Sequence, residues 1–319
     1  MSRTKTLVLL LGPTGVGKTE LSLRVAERLG CPIISCDSRQ IYRELPIGTA
    51  APTPEEQARV RHYMVGTHSL QEDYSAGMFE RDALRLLDEL FRTHDTVVMT
   101  GGSMLYIDAL CRGLDEIPQV PAAVRERVRN AYREHGLAWL QAEVQRLDPA
   151  YWTVVDQRNP ARLTHCVELC LATGGTYTSL RKQAMQARPF RILKIGLNRP
   201  RAELYERINR RVEQMMAQGL EEEARQVYAY RERNSLQTVG YRELFAYMDG
   251  AYDLSRAVEL IQQNTRHYAK RQMTWFNRDT EIHWLNAGDD YETNCTIIAD
   301  LLRHGGVQEN RGGLHVQSC

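Results

Sequence analysis

The 319-residue chain contains no apolar run near the ~20 residues that a bilayer-spanning helix needs. Its opening Met1-Ser2-Arg3-Thr4-Lys5 leads into a strand-like segment rather than an apolar leader, so a cytoplasmic location is expected. The seven cysteines are scattered. Only Cys166 and Cys170 lie close together, at helical spacing without a second pair, and neither a disulfide framework nor a metal framework is expected. There is no internal repeat. Excess charge is also missing: 41 basic residues face 40 acidic ones, a formal net charge of +1, which by itself argues against a polyanionic partner. The distribution argues the other way. Arg188, Arg191, Lys194, Arg199, Arg201, Arg207, Arg210 and Arg211 cluster against only Glu203 and Glu206, and Arg266, Lys270, Arg271 and Arg278 share a stretch with no acid. Such faces bind phosphates even when the total balances. A solvated helix face countered by Glu221-Glu222-Glu223 is the competing reading, and composition leaves both open.

What is present is organised around Gly12-Pro13-Thr14-Gly15-Val16-Gly17-Lys18-Thr19, between the apolar run Leu7 to Leu11 and the amphipathic Glu20 to Leu29. The order is strand, phosphate loop, helix. The glycines let successive backbone N–H groups turn toward one point, and the helix N-terminus adds positive potential, so the loop forms an anion cradle. Lys18 brings a charge to the outer phosphates, and the Thr19 hydroxyl suits a Mg²⁺ ion. The chain is expected to hold a di- or triphosphate.

Pro32 to Cys36 reads as a short buried strand ending at Asp37, which should face the loop because ligands bind at the carboxyl ends of parallel strands. Thr53-Pro54-Glu55-Glu56 reads as a capped helix start. Phe79, Ala83, Leu86, Leu87, Leu90 and Phe91 mark the apolar face of a helix. Thr96 to Thr100 is a strand ending in Gly101-Gly102-Ser103, where a nucleoside triphosphatase would usually carry a magnesium-binding aspartate. From 118 to 189 only helices are expected: Pro121 to Glu134, Leu137 to Leu147, Asn159-Pro160 to Thr173, and a short one after Thr176. Arg191 to Leu197 restores a strand. Helices follow from Pro200 to Met216, Thr238 to Met248 and Ser255 to Trp275, then a strand at Ile282-His283-Trp284 and a helix from Thr293 to Leu302. The expected fold is α/β, a parallel sheet with flanking helices built from residues 1–117 and 190–304, an all-helical insertion at 118–189, and a disordered tail at 305–319.

Several separated stretches closely resemble the bacterial tRNA dimethylallyltransferases: Gly12 to Thr19, Asp37 to Tyr42, Gly48-Thr49-Ala50, Thr100 to Tyr106, Glu203 to Ile208, Val239 to Leu244 and Thr265 to Phe276. The resemblance implies a core like that of P-loop nucleotide kinases and an insertion that grips the anticodon stem. It implies transfer of a dimethylallyl group from its diphosphate to N6 of the adenosine 3′ of the anticodon, in tRNAs that read codons starting with U. Diphosphate would be held by Gly12 to Thr19, with Mg²⁺ on Thr19. Asp37 matches the general base, Arg211 the arginine on the pyrophosphate, and Ser103 a threonine near the reacting centre. Asp37, Ser38, Arg39, Gln40, Ser103, Arg125, Ala161, Arg162, Leu163, Thr164, His165, Gln237, Thr238, Val239, Gly240, Tyr241, Arg242 and Lys270, Arg271, Gln272 through Asn277 would line the RNA path. Tyr268 and Trp275 are read as core rather than base stackers. The protein is expected to act as a monomer with tRNA and dimethylallyl diphosphate as partners. Three basic residues common in the family are replaced, by Ala51, His165 and Asn277. The rival readings are a small-molecule kinase with the insertion as lid, and an RNA-binding switch driven by nucleotide hydrolysis.

Overall fold

The computed structural model describes residues 4–115, 118–181 and 186–303. The chain forms two compact units, Met1–Cys111 with Arg188–Cys319, and Arg112–Ala187. The tail at 305–319 lies outside the described residues. The first unit opens with β1 (Thr6–Leu11), α1 (Lys18–Leu29), β2 (Ile33–Cys36), α2 (Pro54–Arg59), β3 (His62–Tyr63), α3 (Ala76–Leu90), β4 (Thr96–Gly101) and α4 (Met104–Arg112). The second holds α5 (Ala122–Leu147), α6 (Pro149–Trp152), α7 (Pro160–Thr173) and α8 (Tyr177–Leu180). The first resumes with β5 (Arg191–Asn198), α9 (Arg201–Ala217), α10 (Leu220–Val227), α11 (Tyr241–Met248), α12 (Leu254–Phe276), β6 (His283–Asn286) and α13 (Tyr291–Arg303). Among the described residues no helix is long and apolar enough to cross a membrane.

The strands make one parallel sheet in the order β3-β2-β4-β1-β5-β6. Every residue of β1 is buried, so after Thr6 its sequence is an unbroken Leu/Val run instead of an alternation, as a strand covered by helices on both faces requires. On one face Val8, Leu10, Ile33 and Ile195 pack with Leu21 and Val25 of α1, Ile208 of α9 and Ile298 of α13. The strand-loop-helix start and the capped α2 are as expected. Thr53 accepts from Glu56 N at 3.2 Å while Glu56 accepts from Thr53 N at 2.8 Å.

Three elements escape the sequence pattern for identifiable reasons. Two residues, His62–Tyr63, are too few to show a strand period. The polar run of α10 buries only Leu220, Glu223, Ala224 and Val227, and its three glutamates occupy the first turn, where the helix N-terminus favours acids. The helix expected from Thr238 starts at Tyr241, because Gly240 has φ 100° and cannot continue a helix.

In the second unit α5 is interrupted at Gly136 (φ 70°, ψ −165°), which yields the two successive helices expected there. Val128, Leu140, Val144, Leu163, Cys166 and Val167 form its core. Ligand atoms of Asp148, Cys166 and Cys170 lie within 4.8 Å of one another. Asp148 is already engaged on both oxygens, accepting from Tyr151 N (2.9 Å), Thr178 N (2.6 Å) and Thr178 Oγ1 (2.9 Å). Asp148 therefore ties α6 and α8 together.

Candidate active site

Parallel strands deliver their following loops to one edge of the sheet. At that edge β1 leads into Gly12–Gly17, β2 into Asp37 and β4 into Gly102-Ser103, and together with α9 and α12 they enclose a cleft of about 800 Å³. The loops can approach because Gly101 has no side chain: a Cβ there would meet Cys36 O at 2.2 Å.

Gly12, Gly15 and Gly17 adopt φ of 148°, 81° and 112°, which curls the phosphate loop and starts α1. Lys18 Nζ folds back onto the loop, donating to Gly12 O at 2.8 Å and Pro13 O at 2.9 Å. Burial, reinforced by the neighbouring Arg211 guanidinium and opposed by Asp37, lowers its pKa to about 7. Arg211 is itself lowered by burial, with Asp37 acting the other way. Two arginines that sequence reading counted only as local charge also hold this loop. Arg207 Nε donates to Gly15 O at 2.9 Å, and Arg199 Nε donates to Val16 O at 2.8 Å while pairing with Glu203. No spacing signal reveals them, because the pairing exists only once the sheet brings β5 beside β1.

Asp37 begins a tight turn: its Oδ1 accepts from Arg39 N at 2.9 Å and Gln40 N at 3.4 Å. Among the described residues Oδ2 accepts no hydrogen bond, and Asp37 lines the cleft. Ser103 Oγ accepts from Ser38 N at 2.8 Å, fixing the residue after Asp37. Tyr268, read from sequence as core, instead lines the cleft. The neighbouring Ala269 and Gln272 take the buried side of α12. Burial, with Asp37 nearby, pushes the Tyr268 phenol up to about 12.

The cleft gathers Thr14, Gly15, Gly17, Lys18, Thr19, Asp37, Ser38, Arg39, Gln40, Ser103, Arg211, Gln237, Thr238, Val239, Gly240, Arg242, Arg271 and Gln272. Other expected residues stand elsewhere. Lys270 is exposed on α12, whereas Tyr241 is fully buried, and its hydroxyl donates at 2.6 Å to Glu223, which also accepts from Ile47 N and Gly48 N. Gln40 lines the cleft but spends its amide internally, donating to Thr49 O (3.2 Å) and Ala50 O (3.0 Å) and accepting from Ser35 Oγ (2.8 Å). In the second unit Arg125 shares a concavity of about 490 Å³ with Arg129 and Arg133 of α5. Ala161, Arg162 and His165 are exposed on α7, Thr164 is half-buried, and Leu163 is core, because one side of that helix faces α5. Desolvation and Arg125 both lower the His165 pKa.

Residues 40–279 match a family model described as IPP transferase. The chain is 57% identical over 297 residues to a protein of Bacteroides fragilis named tRNA dimethylallyltransferase 1, covering 93% of this chain and 99% of that one. It is 58% identical over 296 residues to a Parabacteroides distasonis protein named tRNA dimethylallyltransferase 2, covering 93% and 99%. Among solved structures, the full-length tRNA isopentenylpyrophosphate transferase of Bacillus halodurans aligns with a TM-score of 0.68 at 31% identity, covering 94% of this chain and 96% of that one.

Proposed function

Because the chain belongs to the IPP transferase family, we propose that it moves a dimethylallyl group from dimethylallyl diphosphate to N6 of the adenosine immediately 3′ of the anticodon of tRNAs reading U-initial codons. The observation that carries this reading is one cleft holding both a phosphate loop and, just past the end of strand β2, the carboxylate of Asp37. In the reaction the allylic C–O bond breaks with its electron pair leaving on the diphosphate, and the N6–C bond forms. Loop N–H groups, Lys18 and Arg211 stabilise the charge growing on the leaving oxygens. Adenine N6 is a weak nucleophile because its lone pair is delocalised into the ring, so Asp37 orients the amine and accepts its proton. The adenine reaches Asp37 by leaving the loop stack, at a cost of a few kcal/mol that is smallest for an unpaired base. Thr19 puts a hard oxygen donor at the loop-helix junction, which suits Mg²⁺. The ion would supply further charge neutralisation to the leaving group. The protein acts as a monomer in this reading.

Phosphoryl transfer is disfavoured by Thr100, which stands near the end of β4 where a magnesium aspartate belongs and whose Oγ1 donates to Leu10 O at 3.5 Å. Incubation with unmodified tRNA and either carbon-labelled dimethylallyl diphosphate or γ-labelled ATP separates the alternatives. Label enters RNA from the first donor on this account; ATP turnover with unlabelled RNA contradicts it.

The replaced basic positions yield a further expectation. Ala51 and Asn277 carry no charge, and desolvation and the neighbouring Arg125 disfavour the charged form of His165. Restoring lysine or arginine at each should steepen the dependence of log affinity for tRNA on log salt by roughly one unit per new phosphate contact. A triple variant with the wild-type slope would refute the placement of these positions on the RNA path.

A further inference from the structure

We infer that Gln272 is a positioning residue that sets the separation between the leaving-group cradle and the loop bearing Asp37. The inference rests on the transfer reaction proposed above. Gln272 is only 2% exposed. Its Oε1 accepts from Thr14 N of the phosphate loop at 2.9 Å, and its Nε2 donates to Gly102 O, just beyond β4, at 2.8 Å. The link continues in the next residue, since Ser103 Oγ accepts from Ser38 N at 2.8 Å and Ser38 directly follows Asp37. One amide thus ties the diphosphate side of the cleft to the amine side.

The residue type fits this task. A primary amide presents an acceptor oxygen and a donor nitrogen at fixed separation. Glutamate would lack the donor, and a hydrocarbon would leave Thr14 N–H and Gly102 C=O without these partners. The contact also explains the glycine at 102: a Cβ there would come within 2.3 Å of Gln272 Nε2. Motif reading assigns Gln272 to the RNA path together with Lys270 and Arg271, but its amide is committed at both ends to the chain's own backbone. The consequence is kinetic. A displacement needs its two reacting atoms near van der Waals contact, and an error of about 1 Å costs about 10²-fold in rate.

The test is single-turnover transfer from labelled dimethylallyl diphosphate to unmodified tRNA by the full chain, with equilibrium binding of tRNA and of inorganic diphosphate measured alongside. Gln272→Ala should lose about 10²-fold in rate at saturation. Both affinities should stay within about threefold of wild type, with an unchanged salt slope. Gln272→Glu, which keeps the volume and the Thr14 contact, should also be slow because it cannot donate to Gly102 O, and it carries the same test if the alanine variant does not fold. Gly102→Ala should reproduce the defect, and combining it with Gln272→Ala should add little, since both cut one link. Wild-type rates in the Gln272 variants overturn the inference. So does an intact rate with weaker tRNA binding and a shallower salt slope, which would make Gln272 an RNA contact, and so do losses that multiply in the double variant. A wild-type protein that transfers no label overturns the proposed reaction and this inference together; one that transfers label at the rate of Gln272→Ala overturns this inference alone.

Discussion

Asp37→Ala should slow dimethylallyl transfer by about 10² to 10⁴-fold, the range a positioned general base typically contributes. Asp37 lies where β2 ends, in the same cleft as the phosphate loop, and only its Oδ1 is spent on the turn to Arg39 N and Gln40 N. The other oxygen is the acceptor available to an incoming amine. Alanine removes that acceptor and also the turn that presents it. Asp37→Asn separates the two roles: its amide oxygen can still accept from Arg39 N, but the side chain cannot take a proton. Both variants should therefore be slow at saturating substrates, with the asparagine form keeping near-wild-type tRNA affinity. An asparagine variant of wild-type rate would remove Asp37 from the chemistry. A variant that is slow only because tRNA no longer binds would make it a recognition residue.

Lys18→Met should lower the rate by about 10² to 10³-fold, the usual loss when one preorganised stabiliser of developing charge is removed. A sharper signature lies in its proton. In the free protein the amine is held at about 7 by burial and by Arg211. A diphosphate beside it must raise that value, because an opposite charge favours the ammonium. Well below that value Lys18 is already charged and binding takes up little; well above it the amine is mostly neutral, and binding draws a proton from solvent. Calorimetry of diphosphate binding in two buffers of different ionisation enthalpy measures this uptake. Lys18→Met should remove the share of it that this amine contributes. Equal apparent enthalpies in both buffers at pH 8 for the wild type would contradict the assigned role.

The parts of the site that sequence revealed are those whose meaning is local. The phosphate loop, Asp37 at a strand end and Ser103 after the double glycine each combine a short pattern with an adjacent element, so the strand-loop-helix rule locates them. What stayed hidden depends on long-range packing. Gln272 meets Thr14 across 258 residues, and Arg199 and Arg207 reach the loop across 183 and 192. Contiguous motif stretches mislead in a second way. Along α7 the exposed Ala161, Arg162 and His165 surround Leu163, which turns into the core, because helical periodicity divides neighbouring residues between two faces. Tyr241 is buried for a different reason: the cleft wall is built by the backbone before it, while its hydroxyl is used by Glu223.

The central claim is that a phosphate cradle and one carboxylate join a prenyl carbon to a purine amine. It is tested most directly by nuclease digestion of unmodified tRNA after reaction with dimethylallyl diphosphate, followed by mass analysis of the nucleosides. With wild-type protein the adenosine 3′ of the anticodon should gain one C₅H₈ unit on N6, and with Asp37→Ala it should remain unmodified over the same interval. An unmodified adenosine with the wild type, or full modification with Asp37→Ala, would contradict the account.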